Sequence, residues 1–142
     1  MLIASSSPTK ERAARIKELD KLVGDYIKNL AGWCCEMCGK RYVPWDAPGL
    51  TSAHVKTKGR YSLIRFEPDN LMALCWLPCH ESRWHKDPQD AMRWFTNEWP
   101  GRIERIEIAA RNAPKPDLLL LLQIWRKEVA ELGSKRAVGV KD

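Results

Sequence analysis

Cysteine and histidine are missing from most of this chain. All five cysteines and all three histidines fall between Cys34 and His85, with none on either side. Long apolar runs are also lacking. The run of leucines at 118–122 is five residues, far short of the roughly 20 that a membrane helix needs. The opening stretch MLIASSSPTKERAAR turns polar too soon to supply a signal-peptide core. These absences predict a cytoplasmic protein with no membrane partner. In a reducing compartment, cysteines gathered in one window argue for metal ligation over disulfides. No acidic residue stands between His54 and Phe66, and the chain has no internal repeat or low-complexity segment.

At 142 residues the chain is one domain's worth of sequence, with a core small enough to benefit from a metal staple. Its 30% charged and 44% hydrophobic residues are an ordinary globular balance that excludes wholesale disorder. The net charge of +6 points to polyanionic partners, nucleic acid first.

The pattern predicts an α+β, mainly helical protein. Residues 1–8 read as a leader and 9–31 as an amphipathic helix, with Ile16, Leu19, Val23, Tyr26 and Leu30 on its core face. Gly32 is expected to end that helix. A zinc-stapled core over 32–87 follows, in which LTSAHV (50–55) and LMALC (71–75) read as short strands. Glu67-Pro68-Asp69-Asn70 is a turn, and Cys79-His80 opens a helix. C-terminal helices fill 88–133: Gln89–Glu98 with Met92, Trp94 and Phe95 in the core, Ile103–Ala110, and Leu118–Leu132. Asp117 is the expected N-cap of the last and Gly133 its stop. That leucine-rich helix suits either a core cover or a dimer contact. Residues 134–142 read as a polar tail.

The chemistry is concentrated in CEMCGK (35–40) and CWLPCHESRWH (75–85). Two cysteine pairs on separate loops form the pattern of a tetrahedral structural zinc site, with Cys35, Cys38, Cys75 and Cys79 as ligands. Cys34 is the spare thiol, because it would make an irregular spacing with Cys38. The second pair is CxxxC, so its turn must absorb an extra residue. Four thiolates leave the histidines unexplained. Imidazole serves both as a general base near neutral pH and as a ligand for divalent metals. The alternative for His85 is a ring packed beside Trp84.

The ordered series CEMCGKR, TSAHV, EPDNL and ALCxxxCH resembles the zinc-stapled form of the HNH endonucleases. The closing RFEPDN of the basic loop and RWHKDPQDAMRWF are similar to a subgroup common in phage genomes. The likeness covers about residues 19–100 and not 101–142. It implies a ββα-metal core of two antiparallel strands and a helix around one catalytic ion. It also implies hydrolysis of DNA phosphodiester bonds, by nicking or cutting the duplex. His54 would be the general base, Asn70 would orient the hairpin or His54, and His80 would bind Mg²⁺, Mn²⁺ or Ni²⁺. Lys56, Lys58, Arg60 and Arg65 would contact DNA phosphates. Many relatives carry an acidic ligand before the base histidine, where this chain has Ala53. The ion then needs another ligand, and His85, Asn70 and Asp69 are the candidates. His85 lies five residues from His80, about 140° around an ideal α-helix. Two other readings compete: a zinc-stabilised DNA-binding module without catalysis, and a packaging accessory that uses zinc for stability alone. Phage packaging or recombination proteins are the partners the resemblance suggests.

Overall fold

The computed structural model describes residues 8–139, with side chains for 8–133. Of the expected leader at 1–8, residues 1–7 lie outside the described residues, and Pro8 already belongs to the first helix. The elements are α1 (Pro8–Leu30), β1 (Leu50–His54), β2 (Leu71–Cys75), a π-helix (Trp76–His85), α2 (Pro88–Glu98), α3 (Arg102–Asn112) and α4 (Leu118–Gly139). The protein is α+β and mainly helical, with one two-stranded antiparallel sheet. No described helix is long and apolar enough to cross a membrane. The chain divides into two compact units.

One unit takes the chain up to Tyr26 and from Pro116 onward. Leu19 and Val23 on α1 and Leu122 on α4 are buried within it. The Tyr26 and Trp125 rings meet edge to face at 4.9 Å, and Arg126 forms a two-pronged pair with Glu18 at 2.6 and 2.7 Å. Asp117 caps α4, its Oδ1 accepting the Leu120 N–H at 3.1 Å, as an N-cap carboxylate should. The helix does not stop at Gly133 but runs to Gly139. A lone glycine costs a helix interior only about 1 kcal/mol, and the Lys135-Arg136-Ala137 that follows it are good helix formers.

The other unit, Ile27–Lys115, holds every cysteine and histidine. Gly32, at φ +66°, ends α1. Trp33 N–H bonds back to Lys28 O at 2.8 Å and Gly32 N–H to Asn29 O at 3.0 Å, the paired bonds of a Schellman turn. Reversal at this point leaves Leu30 64% exposed, and Ile27 is buried instead. The expected core position at Leu30 is therefore corrected to Ile27.

The sheet has the register His54↔Leu71 through Leu50↔Cys75. All five residues of β2 are buried, which fits an apolar run without alternation. Such a strand needs partners along both edges. Val55 N–H reaches Asn70 O and Trp76 N–H reaches Gly49 O, so even-numbered positions of β2 face β1. The backbone groups of odd-numbered positions therefore point to the opposite edge, where two ionic side chains meet them. Arg102 donates to Asp69 O at 2.9 Å and to Leu71 O at 2.6 Å. Glu36 N–H donates to Ala73 O at 2.8 Å, and Ala73 N–H donates to Glu36 Oε2 at 2.7 Å. Burial pushes the Glu36 carboxyl up, against the pull of the Ala73 N–H and the Arg102 charge. Among the described residues no buried side-chain polar atom lacks a hydrogen-bond partner.

Phe95, Ile64, Leu50, Leu74 and Ile106 are almost wholly enclosed. On α2 the buried stripe is Ala91 and Phe95. Met92 and Trp94, expected in the core, are half-buried, because they flank that stripe instead of lying on it. Arg102 lies over the Trp99 and Phe95 rings at 4.6 and 5.2 Å, so one side chain joins the start of α3 to α2 and to the outer edge of β2. Replacing Arg102 by Leu leaves the buried Leu71 carbonyl and the half-buried Asp69 carbonyl without this donor and should cost about 3 kcal/mol. Urea unfolding of the zinc-saturated protein measures this. A loss under ~0.5 kcal/mol would contradict the edge-capping role.

Candidate metal centre and histidine cleft

The first cysteine pair sits in a knuckle formed after the Schellman turn. Gly39, at φ +80°, closes it, Gly39 N–H bonds to Cys35 O at 2.9 Å, and Cys38 N–H points at Cys35 Sγ at 3.5 Å. The second pair comes from the last residue of β2 and the π-helix. The extra residue of its CxxxC spacing is taken up at Leu77, whose φ of −126° and ψ of 133° interrupt the helix.

The ligand atoms of Cys35, Cys38, Cys75 and Cys79 all lie within 4.8 Å of one another, and Cys38 Sγ and Cys75 Sγ are 3.8 Å apart. Four sulfurs at ~2.3 Å from a zinc ion would stand ~3.8 Å apart along the tetrahedron edges. The donor set therefore fits a metal ion such as zinc. Cys35, Cys75 and Cys79 are buried and Cys38 is exposed. Burial pushes the Cys35 thiol up, but the N–H groups of Cys38, Cys75 and Met37 outweigh it and bring it to about 7. Burial, helped by the Cys35 charge, raises Cys75 and Cys79. A cation removes that opposition, since bound thiols give up their protons. Cys34 stands apart, its Sγ directed at Gly32 O at 3.3 Å.

The histidines lie on neighbouring elements. His54 ends β1, with its ring Nε2 3.0 Å from Arg65 O. A carbonyl oxygen can only accept, so Nε2 carries a proton. Trp84 Nε1–H donates to His54 O at 3.1 Å, tying the strand end to the π-helix. His80 and His85 come together as an edge-to-face pair with ring centroids 4.6 Å apart. The 140° separation of an α-helix does not apply, because π winding closes each turn over five residues. His85 is not packed into the core. Its side chain is 54% exposed, with Nδ1 3.9 Å from Glu81 Oε2. His80 is lowered to about 4, chiefly by burial, with His85, His54 and Lys58 adding repulsion against the pull of Glu81. It is a neutral imidazole at physiological pH. Among the described residues the cysteines are the group whose ligand atoms gather closely enough to enclose an ion. His54 and His85 border a more open region, a cleft of about 260 Å³ that Trp84, Thr57 and Met92 also line, and His80 adjoins it through its ring contact with His85.

Asn70 is fully buried. Its Oδ1 accepts the Lys56 N–H at 2.8 Å, and its Nδ2 donates to Lys56 O at 3.1 Å and Ile64 O at 3.4 Å. The amide is committed to holding the 55–64 loop against the hairpin. Asp69 faces Arg105 at 3.4 Å. Ala53 is buried completely and shares its strand face with Thr51, by the alternation of β1. On the loop, Lys58 and Arg60 are exposed while Lys56 and Arg65 are half-buried. Lys56 and Arg60 flank the Tyr61 ring at 4.9 and 5.6 Å, and Arg65 lies over Phe66 at 5.9 Å.

Sequence reasoning passed over Thr51, Trp84 and Glu36. Thr51 Oγ1 donates to Leu74 O at 2.7 Å and lies 2.7 Å from His80 Nδ1. Its one visible signal was its place on the same strand face as Ala53. No protein-family model, curated protein or solved structure matches the chain.

The thiol cluster makes a discriminating prediction. Wild type and Cys34→Ser should each carry one zinc per chain by elemental analysis, whereas Cys75→Ser should carry none and lose cooperative unfolding. Zinc lost from Cys34→Ser and kept by Cys75→Ser would contradict the ligand assignment.

Proposed function

We propose that the chain is a zinc-stapled, metal-dependent endonuclease of the HNH type that hydrolyses DNA phosphodiester bonds. The observation that carries this reading is the His80–His85 ring pair, with His54 lining the same cleft as His85, beside a loop with four cations and no acid. Position 54 supplies a histidine whose ring is set by the Nε2–H bond to Arg65 O, and Nδ1 would be the atom that takes a proton from water. Asn70 holds the loop that bears Lys56, Lys58, Arg60 and Arg65, cations suited to phosphate. The hairpin β1–β2 runs directly into the helix bearing His80 and His85, the order that a ββα-metal core requires. The Cys35, Cys38, Cys75, Cys79 cluster would be structural, since four thiolates complete a tetrahedron and leave no position open for substrate.

His80 and His85 would hold the second ion. Imidazoles suit nickel and related first-row ions better than magnesium, and manganese is intermediate in its tolerance of oxygen donors. When bound, such an ion polarises the scissile phosphate and stabilises the leaving oxygen. The chain's own contribution is positional. His54 takes the proton, Trp84 and Arg65 O hold its backbone and ring, and the loop cations bind the flanking phosphates.

The test is conversion of supercoiled plasmid to nicked or linear forms by protein stripped of loosely held ions. Wild type should act only after addition of nickel, manganese or magnesium. His54→Ala should keep its zinc and lose activity by ~10²-fold or more. If neither protein cuts but both retard the plasmid on a gel, the nuclease reading falls. The methyl of Ala53, buried where relatives have a carboxylate, then marks a zinc-stabilised DNA-binding or packaging module.

A further inference from the structure

Thr51 has one hydroxyl proton and two contacts that compete for it. Leu74 O, at 2.7 Å, has no proton to give, so the hydroxyl must donate there. The second contact, His80 Nδ1 at 2.7 Å, must then run the other way, from ring N–H to hydroxyl oxygen. In a neutral imidazole only one nitrogen carries a proton. Fixing it on Nδ1 makes Nε2 a lone pair. The ring cannot easily escape this arrangement, because the edges and faces of Trp76 and His85 bracket it at 5.3 and 4.6 Å. Leu74 belongs to β2, whose five residues are all buried, so the acceptor that sets the chain of bonds is itself enclosed in the sheet.

We propose that Thr51 is a positioning residue that locks His80 in the Nδ1–H tautomer and thereby presents Nε2 to a divalent ion. The role of the ion rests on the nuclease reading above; the tautomer does not. The relay runs from the buried carbonyl of Leu74 through one hydroxyl to a ring on the next element. It does for His80 what Arg65 O does for His54, with the opposite nitrogen protonated. Metal-binding histidines depend on such outer partners to fix ring orientation and tautomer. Where Ala53 supplies no carboxylate, ion binding leans on the imidazoles, and a proton on the wrong nitrogen would remove a donor outright.

The experiment is a long-range ¹H–¹⁵N correlation spectrum of the uniformly labelled, zinc-loaded protein, without a second ion or DNA. His80 should show a protonated Nδ1 and an unprotonated Nε2. Thr51→Ser should keep that pattern. Thr51→Val, checked for unchanged zinc content and amide spectrum, should move the proton to Nε2 or mix the two forms. In the plasmid assay Thr51→Val should raise the ion concentration needed for half-maximal cutting by roughly 10–100-fold, with Thr51→Ser close to wild type. A wild-type ring protonated on Nε2 overturns the proposal, as does a Thr51→Val protein with the wild-type tautomer. Because the spectrum needs no catalysis, a plasmid that stays intact sinks the nuclease reading while the tautomer lock is judged separately.

Discussion

The convergence of four thiols from two distant segments is the constraint on which the Ile27–Lys115 unit depends. Cys35 and Cys38 come from a knuckle after α1, Cys75 and Cys79 from the end of the sheet and the helix after it. Bringing them together closes a loop of about 40 residues, an entropic cost that grows only slowly with length and that a bound metal offsets directly. The closure is not made by sulfur alone. Glu36, between the first two cysteines, pairs with Ala73 through both its N–H and its carboxylate. The knuckle thus serves as a third partner to a sheet that has only two strands. Arg102 completes the same edge from α3. A five-residue strand buried on both faces survives because each edge is met, one by β1 and the other by two ionic side chains.

From that frame the histidines are placed by single hydrogen bonds between neighbouring elements. Thr51 links β1 to His80, Trp84 links the π-helix to the backbone of His54, and Asn70 links the basic loop to the hairpin. Each bond uses a buried or half-buried partner, while Lys58 and Arg60 on the loop stay exposed. The two imidazoles with a defined role in the proposed reaction are held at opposite ring nitrogens, His54 by a carbonyl on Nε2 and His80 by a hydroxyl on Nδ1. Desolvation keeps His80 neutral, so its lone pair is available across the physiological range.

Much of this was legible in the residues. The apolar run LMALC and the alternating LTSAHV located both strands within a residue, because a strand's pattern is local. Gly32 and Asp117 announced a helix end and a helix start through backbone chemistry that needs no tertiary context. The choice of Cys35 over Cys34 followed from spacing alone. What was not legible depended on packing or on an unusual winding. No periodicity argument for an α-helix puts His80 and His85 side by side, and the π turn that does so follows an interruption at Leu77. Glu36 and Arg102 read as ordinary surface charges until the outer edge of β2 requires them. Leu30 matched the α1 stripe yet stands exposed because the chain reverses at Gly32, and Gly133 failed as a stop because good helix formers follow it. Thr51 showed no more than its place on the Ala53 strand face, since its role comes from a residue 29 positions later.

Zinc-edge X-ray absorption of the protein carrying one equivalent of metal tests the central claim most directly. The account predicts four sulfur scatterers at about 2.3 Å and no imidazole in the first shell. A shell of mixed sulfur and nitrogen would contradict it, because the metal would then be drawn toward the histidines and the separation of a structural centre from the histidine cleft would be lost.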